Sequence, residues 1–148
     1  VKRPVKDVDY GFVGDVEQVD ATLLSDLIHK GVVPVMAPLT HDGHGNMLNT
    51  NADTIAGETA KALSALFDVT LVYCFEKKGV LSNPDDDDSV IERITRSDYE
   101  KYVADGTISG GMMPKIENAL NAVDAGVRQV VITSATAIGS GNGTVISK

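Results

Sequence analysis

Gly110-Gly111-Met112-Met113-Pro114-Lys115-Ile116-Glu117-Asn118-Ala119-Leu120-Asn121-Ala122-Val123-Asp124-Ala125-Gly126-Val127-Arg128-Gln129-Val130-Val131-Ile132-Thr133 carries two elements and the joint between them. Ile116, Leu120 and Val123 recur at helical spacing and predict a helix over residues 114–125, which Gly126 stops. Residues 127–133 are apolar over a length suited to a buried strand. A helix delivered into a buried strand through one glycine is the repeating step of an α/β sheet.

The entrance to that helix is chemically unusual. Pro114 suits a first helical position, and Gly110 and Gly111 let a ligand come close to the backbone. Lys115 places a cation in the first turn, against the positive end of the helix dipole, where Asp or Glu is the stabilising choice. A bound anion removes the conflict, so the segment reads as a phosphate site. The alternative is a surface lysine laying its stem over small residues.

Upstream, the same alternation repeats. Residues 69–75 form a second apolar run, which places Cys74 in a buried strand and makes it a packing residue. Residues 52–66 are helical, with Ile55, Ala56, Thr59, Ala62, Leu63 and Leu66 on or beside one face. Val32-Val33-Pro34-Val35-Met36-Ala37-Pro38-Leu39 reads as a buried strand, with Pro34 and Pro38 near its ends or at bulges. A helix over residues 19–30 precedes it and stops at Gly31. His41-Asp42-Gly43-His44-Gly45-Asn46 is a turn cluster, giving a hairpin or a lid-like loop.

Residues 85–88 form an acidic surface loop and residues 97–104 a short capped helix. Residues 139–143 make a flexible glycine-rich connector, and Thr144-Val145-Ile146 returns as a last edge strand. The pattern as a whole predicts an α/β fold, a three-layer sandwich whose mostly parallel sheet has helices on both faces. At 148 residues the expectation is a single domain.

Composition narrows the function. A net charge of −8 argues against a nucleic-acid partner, which needs clustered Lys and Arg. No apolar run reaches the length of a membrane span, and the chain has a cytoplasmic character. One cysteine excludes an internal disulfide. The chain starts at Val1 without methionine or a signal-peptide pattern, which suggests a processed boundary with sequence upstream.

Three groups of polar residues are candidates for chemistry. Asn51 is placed to cap the helix that follows, with Asp53 in its first turn, and stabilisation alone could explain both. Asn49 adds a functional reading, because it lies on the same side as Asn51 in an extended approach. Asn49-x-Asn51-x-Asp53 then offers amide donors to a substrate and a carboxylate able to hold a lysine. Glu76-Lys77-Lys78-Gly79-Val80-Leu81 leaves the carboxyl end of a probable parallel strand, the edge where open α/β sheets bind ligands. Residues 85–88 lack the spacing of a calcium loop, and His41 with His44 lacks further ligands, so no metal site is expected. Walker-type loops, nucleophile elbows and zinc-protease helices are absent from the sequence.

Asp9-Tyr10-Gly11-Phe12-Val13-Gly14-Asp15-Val16, Leu48-Asn49-Thr50-Asn51-Ala52-Asp53, Gly79-Val80-Leu81 and Ile108-Ser109-Gly110-Gly111-Met112-Met113-Pro114-Lys115 together, and in this order, resemble the amino-acid kinase family. Within it they are similar to the branch that acts on N-acetylglutamate in arginine biosynthesis. The resemblance spans essentially the whole chain, yet only the C-terminal, nucleotide-binding portion of such an enzyme. It implies transfer of the γ-phosphoryl group of ATP, carried with Mg2+, to the side-chain carboxylate of an N-acylglutamate. Lys115 matches the lysine that stabilises the transition state, Asp53 the carboxylate that orients the lysines, and Asn49, with Asn51 beside it, the acylglutamate contact. Glu76, Lys77, Lys78, Gly79, Val80 and Leu81, with Thr107, Ile108 and Ser109, match the segments around adenine and ribose.

Two departures qualify the match. The family usually has Ser or Thr followed by Asp after the central strand, where this chain has Phe75-Glu76. The family's N-terminal glycine-rich segment and second phosphate-binding lysine lie upstream of Val1, so residues 1–148 are not expected to catalyse alone. The acceptor also stays open among N-acetylglutamate, N-succinylglutamate, a free amino acid, carbamate and a nucleotide, as does a non-catalytic nucleotide-binding module. Expected partners are the small-molecule acceptor and ATP, with no nucleic acid or membrane, and a homo-oligomeric parent.

Overall fold

The computed structural model describes residues 1–4 and 8–148. By internal contacts these divide into two compact units, Val1–Leu66 and Phe67–Lys148.

In the first unit the order is α1 (Ala21–His29), β1 (Leu39–His41), β2 (Met47–Asn49) and α2 (Ala52–Leu63). Asp20 caps α1 by accepting from the Leu23 N–H at 2.9 Å, and Gly31 leaves it in the left-handed region at φ +77°. β1 and β2 form the expected hairpin, antiparallel with Thr40 opposite Leu48. Its turn is built by Asp42, whose carboxylate accepts from the His44 and Asn46 N–H groups and from the Asn46 side chain. Those donors, the Asn46 amide first, hold the Asp42 carboxyl down at about 2.

The apolar run over residues 32–39 is not the buried strand its composition suggested. Only Leu39 belongs to a strand, and Val33 and Val35 are 83% and 94% exposed. Pro34 and Pro38 contribute no N–H, and no described strand pairs with residues 32–37, so hydrophobicity alone gives the run no ladder to join. Likewise α1 has the predicted apolar stripe but buries none of its residues.

The second unit is built on a four-stranded sheet in the order β3 (Thr70–Phe75), β5 (Gln129–Ser134), β6 (Thr144–Ile146), β4 (Arg93–Ile94). β3–β5 and β4–β6 are parallel and β5–β6 antiparallel, which gives the expected α/β fold with a mostly parallel sheet. Thr144-Val145-Ile146 was expected at an edge and instead lies between β5 and β4. The edge on that side, β4, has only two residues and leaves no periodic signal.

Strand alternation sorts the side chains. Tyr73, Val130, Ile132, Ile94, Thr144 and Ile146 share one face and are all buried. α4 (Met112–Asp124) packs against β5 and β6 and buries Ile116, Ala119, Leu120, Ala122 and Val123. Each of its larger aliphatic side chains contributes about 1.5–3 kcal/mol by burial. Cys74 points the opposite way from Tyr73 and is exposed, which corrects its reading as a buried packing residue. In an edge strand with alternating faces, neighbouring apolar residues do not share an environment.

α3 (Arg96–Ala104) starts with a full capping box, Thr95 accepting from the Asp98 N–H while Asp98 accepts from the Thr95 N–H at 3.0 Å. Arg96 pairs with Asp124 at the far end of α4, and the Tyr99 hydroxyl donates to Glu117 at 3.0 Å, so α3 and α4 are tied together.

Candidate functional site

α4 begins two residues earlier than its periodicity suggests, with Gly111 as N-cap and Pro114 as third helical residue instead of first. The position still suits proline, because N–H groups of the first turn have no helical partner. Gly111 provides no side-chain cap, and Gly110 sits at φ +57°. A Cβ added at either glycine would meet nothing within 4 Å, so the approach to this helix end is open. The Met112 and Met113 N–H groups donate to the Ser109 and Gly110 carbonyls at 3.4 and 3.3 Å, and Pro114 has no N–H to offer.

Lys115 is half-buried in the first turn. Its Nζ lies 3.6 Å from the centroid of the Phe75 ring, the last residue of β3. Phe75 in turn stacks on Tyr73, with ring centroids 5.8 Å apart and planes at 17°. The helix start and the carboxyl end of β3 therefore meet through an ammonium on an aromatic face.

Beyond Phe75 the chain turns through residues 76–81. Gly79 is required there by space: a Cβ would stand 2.8 Å from both Thr144 Oγ1 and Val90 Cγ1. The Val80 N–H donates to the same Thr144 hydroxyl at 2.8 Å, which fixes the segment to the first residue of β6. Lys77 reaches Asp87 at 2.7 Å and Lys78 approaches Asp88 at 3.7 Å. The hydrogen bond and charge of each partner raise the Lys77 ammonium above its ordinary value and lower the Asp87 carboxyl. These pairs are exposed, so they position the loop more than they stabilise the fold.

A cleft of about 780 Å3 opens between this acidic loop and the glycine-rich turn before β6, lined by Lys78, Asp87, Asp88, Arg93, Ser140 and Asn142 among others. Thr107, Ile108 and Ser109 join α3 to α4. The Thr107 N–H donates to Asp105, the Ile108 N–H to the Tyr102 carbonyl, and Ile108 is buried while Ser109 is exposed.

The remaining candidates lie in the first unit. Asn49 ends β2, its N–H donating to the Phe12 carbonyl at 2.8 Å and its carbonyl accepting from the Gly14 N–H at 2.9 Å. That backbone clamp leaves the Asn49 side chain exposed. Gly14 is forced by contact, since a Cβ would lie 2.8 Å from Leu48 Cβ. Asn51 caps α2 by accepting from the Thr54 N–H at 3.0 Å, so its stabilising role is real whatever else it does. Asp53 is half-buried in the first turn of α2. Asn49, Asn51 and Asp53 thus follow one another across the junction of β2 and α2.

The aromatic seat of Lys115 escaped the sequence because 40 positions separate its two residues; the only signal was an aromatic residue where the family usually has Ser or Thr. The pairing of Lys77 and Lys78 with Asp87 and Asp88 was similarly hidden. Two basic and two acidic residues, ten apart and flanking a turn, are a signal that could have found it.

The description "Amino acid kinase family" matches residues 2–134 of the chain. Acetylglutamate kinase of Bacteroides thetaiotaomicron is 77% identical over all 148 residues, which cover 58% of that protein. Acetylglutamate kinase of Methanopyrus kandleri is 43% identical over 141 residues, covering 95% of this chain and 56% of the relative. The chain therefore spans little more than half the length of the curated relatives it matches. Among solved structures, smu.665 of Streptococcus mutans superposes with a TM-score of 0.75 at 34% identity, over 98% of this chain and 55% of that one. N-acetylglutamate synthase of Neisseria gonorrhoeae shares the fold at a TM-score of 0.80 and 24% identity, over 98% of this chain and 34% of that one.

Proposed function

The chain belongs to the amino acid kinase family, and from that premise we propose that the whole protein phosphorylates the side-chain carboxylate of N-acetylglutamate, as a step towards arginine. The 148 residues are read as the C-terminal, nucleotide-binding portion of that kinase. The observation that carries the reading is the ammonium of Lys115, held at the first turn of α4 beside the carboxyl end of β3. The name borne by curated relatives supplies the acceptor.

ATP, carried with Mg2+, supplies the phosphoryl group. A carboxylate oxygen attacks the γ-phosphorus, the bond to the β–γ bridging oxygen breaks, and ADP leaves with the electron pair. No proton has to move, since the acceptor carboxylate is already ionised near neutral pH. Lys115 offsets the charge that spreads over the phosphoryl oxygens, and the open helix start of α4 orients them. Residues 76–81 and 107–109 flank the adenine and ribose, Asn49 and Asn51 meet the acylglutamate, and Asp53 orients the lysines.

The test is Lys115→Ala in the full-length protein. kcat should fall by on the order of 10² to 10³ fold, the loss typical of one preorganised group aimed at developing charge. Folding should survive, because α4 loses a cation that opposes its dipole. A variant with normal kcat would return Lys115 to the surface-lysine reading.

A further inference from the structure

We infer that Phe75 is a positioning residue for Lys115, an aromatic seat that presents the ammonium for phosphoryl transfer without neutralising it. The inference rests on the reading of Lys115 given above. Two features carry it. Nζ lies 3.6 Å from the ring centroid, well inside the range of cation–π attraction. The ring is held in turn: Phe75 ends β3 opposite Ser134 and stacks on Tyr73, which is only 6% exposed.

An ammonium in a first helical turn is repelled by the dipole and needs some compensating partner. The negative face of an aromatic ring compensates the charge while offering no full negative charge of its own. N–H groups directed away from the ring stay available to the phosphoryl group and to an orienting carboxylate. Ile116, fully buried beside Lys115, holds the backbone of the seat still. The arrangement meets the requirement that a charge-stabilising group be in place before the reaction begins.

The experiment replaces Phe75 in the full-length protein with mono-, di- and trifluorophenylalanine, which withdraw electron density from the ring face at almost constant size. kcat should fall stepwise with fluorine number, towards about tenfold, as expected when a cation–π contact of ordinary strength is lost. KM for ATP should change less. Phe75→Leu should match the end of that series, and Phe75→Trp should restore turnover. In a Lys115→Ala background the same Phe75 changes should have no further effect on kcat.

A flat kcat across the fluorinated series would overturn the inference. So would equal losses with and without Lys115, which would mean that Phe75 acts through packing alone. Normal turnover in Lys115→Ala itself would instead remove the kinase role of Lys115, and the seat would lose its purpose with it.

Discussion

Asp53 separates capping from chemistry at the scale of one side chain. It stands in the first turn of α2, where a carboxylate favours the dipole, so stabilisation alone could account for it. Asp53→Asn keeps size and an acceptor oxygen but removes the charge. A purely structural role predicts a loss of up to about 1 kcal/mol with turnover nearly intact. The orienting role predicts almost unchanged stability and a kcat lower by roughly tenfold or more, because misplaced charges raise the barrier directly. The second outcome is expected in the full-length protein, with thermal unfolding and steady-state kinetics on one preparation as the measurement. The placing of Lys115 and Asp53 at helix starts was legible, because a charged residue there meets an electrostatic preference that sequence alone can weigh. The contact of Phe75 with Lys115 was not, since it spans 40 positions that the sheet and α4 bring together.

At the scale of elements, Gly79 is an exacting position. Its missing Cβ is the space filled by Thr144 and Val90, and Thr144 is fully buried and committed to the Val80 N–H. Gly79→Ala should destabilise the protein by about 1–3 kcal/mol, the range for overpacking a well-filled site, as read by denaturant unfolding. An unchanged midpoint would mean that residues 76–81 can lift off β6. The β1–β2 turn gives a second test. The Asp42 carboxyl is held at about 2 by its amide donors, below an ordinary aspartate. The contribution of the turn is therefore complete above the ordinary carboxylate range and is lost as pH falls through about 2. Carbon NMR of the Asp42 carboxyl should titrate near 2; a midpoint near 4 would deny the bonds to Asn46 and His44. The hairpin, α2, α3, α4, β3 and β5 were readable because local periodicity and caps announce them. Residues 32–39 were misread because apolar composition does not say whether a partner strand is present, and the central place of β6 depends on pairings that no local pattern encodes.

For the whole molecule, the alternation of helices and strands gave the fold class, and the motif order pointed to the family. The division into Val1–Leu66 and Phe67–Lys148 had no marker in composition, since no linker-like stretch separates them. Residues 1–148 cover 58% of the Bacteroides thetaiotaomicron relative, and a phosphoryl clamp needs every one of its charges in place. Purified as such, the 148-residue chain should bind ATP-magnesium weakly and turn over N-acetylglutamate negligibly; calorimetry with a phosphoryl-transfer assay decides, and robust turnover would sink the reading. The insertion of β6 between β5 and β4 has a consequence in time as well as in space. β4 pairs with β6 alone, so Arg93 and Ile94 wait for partners some fifty positions further along a chain that emerges from the ribosome in order. Until residues 144–146 arrive, Ile94 has no neighbouring strand and Thr144 is not there to back Gly79. The turn over residues 76–81 is thus among the last parts of the second unit to acquire its shape, and its maturation should track the slow, non-local phase of folding.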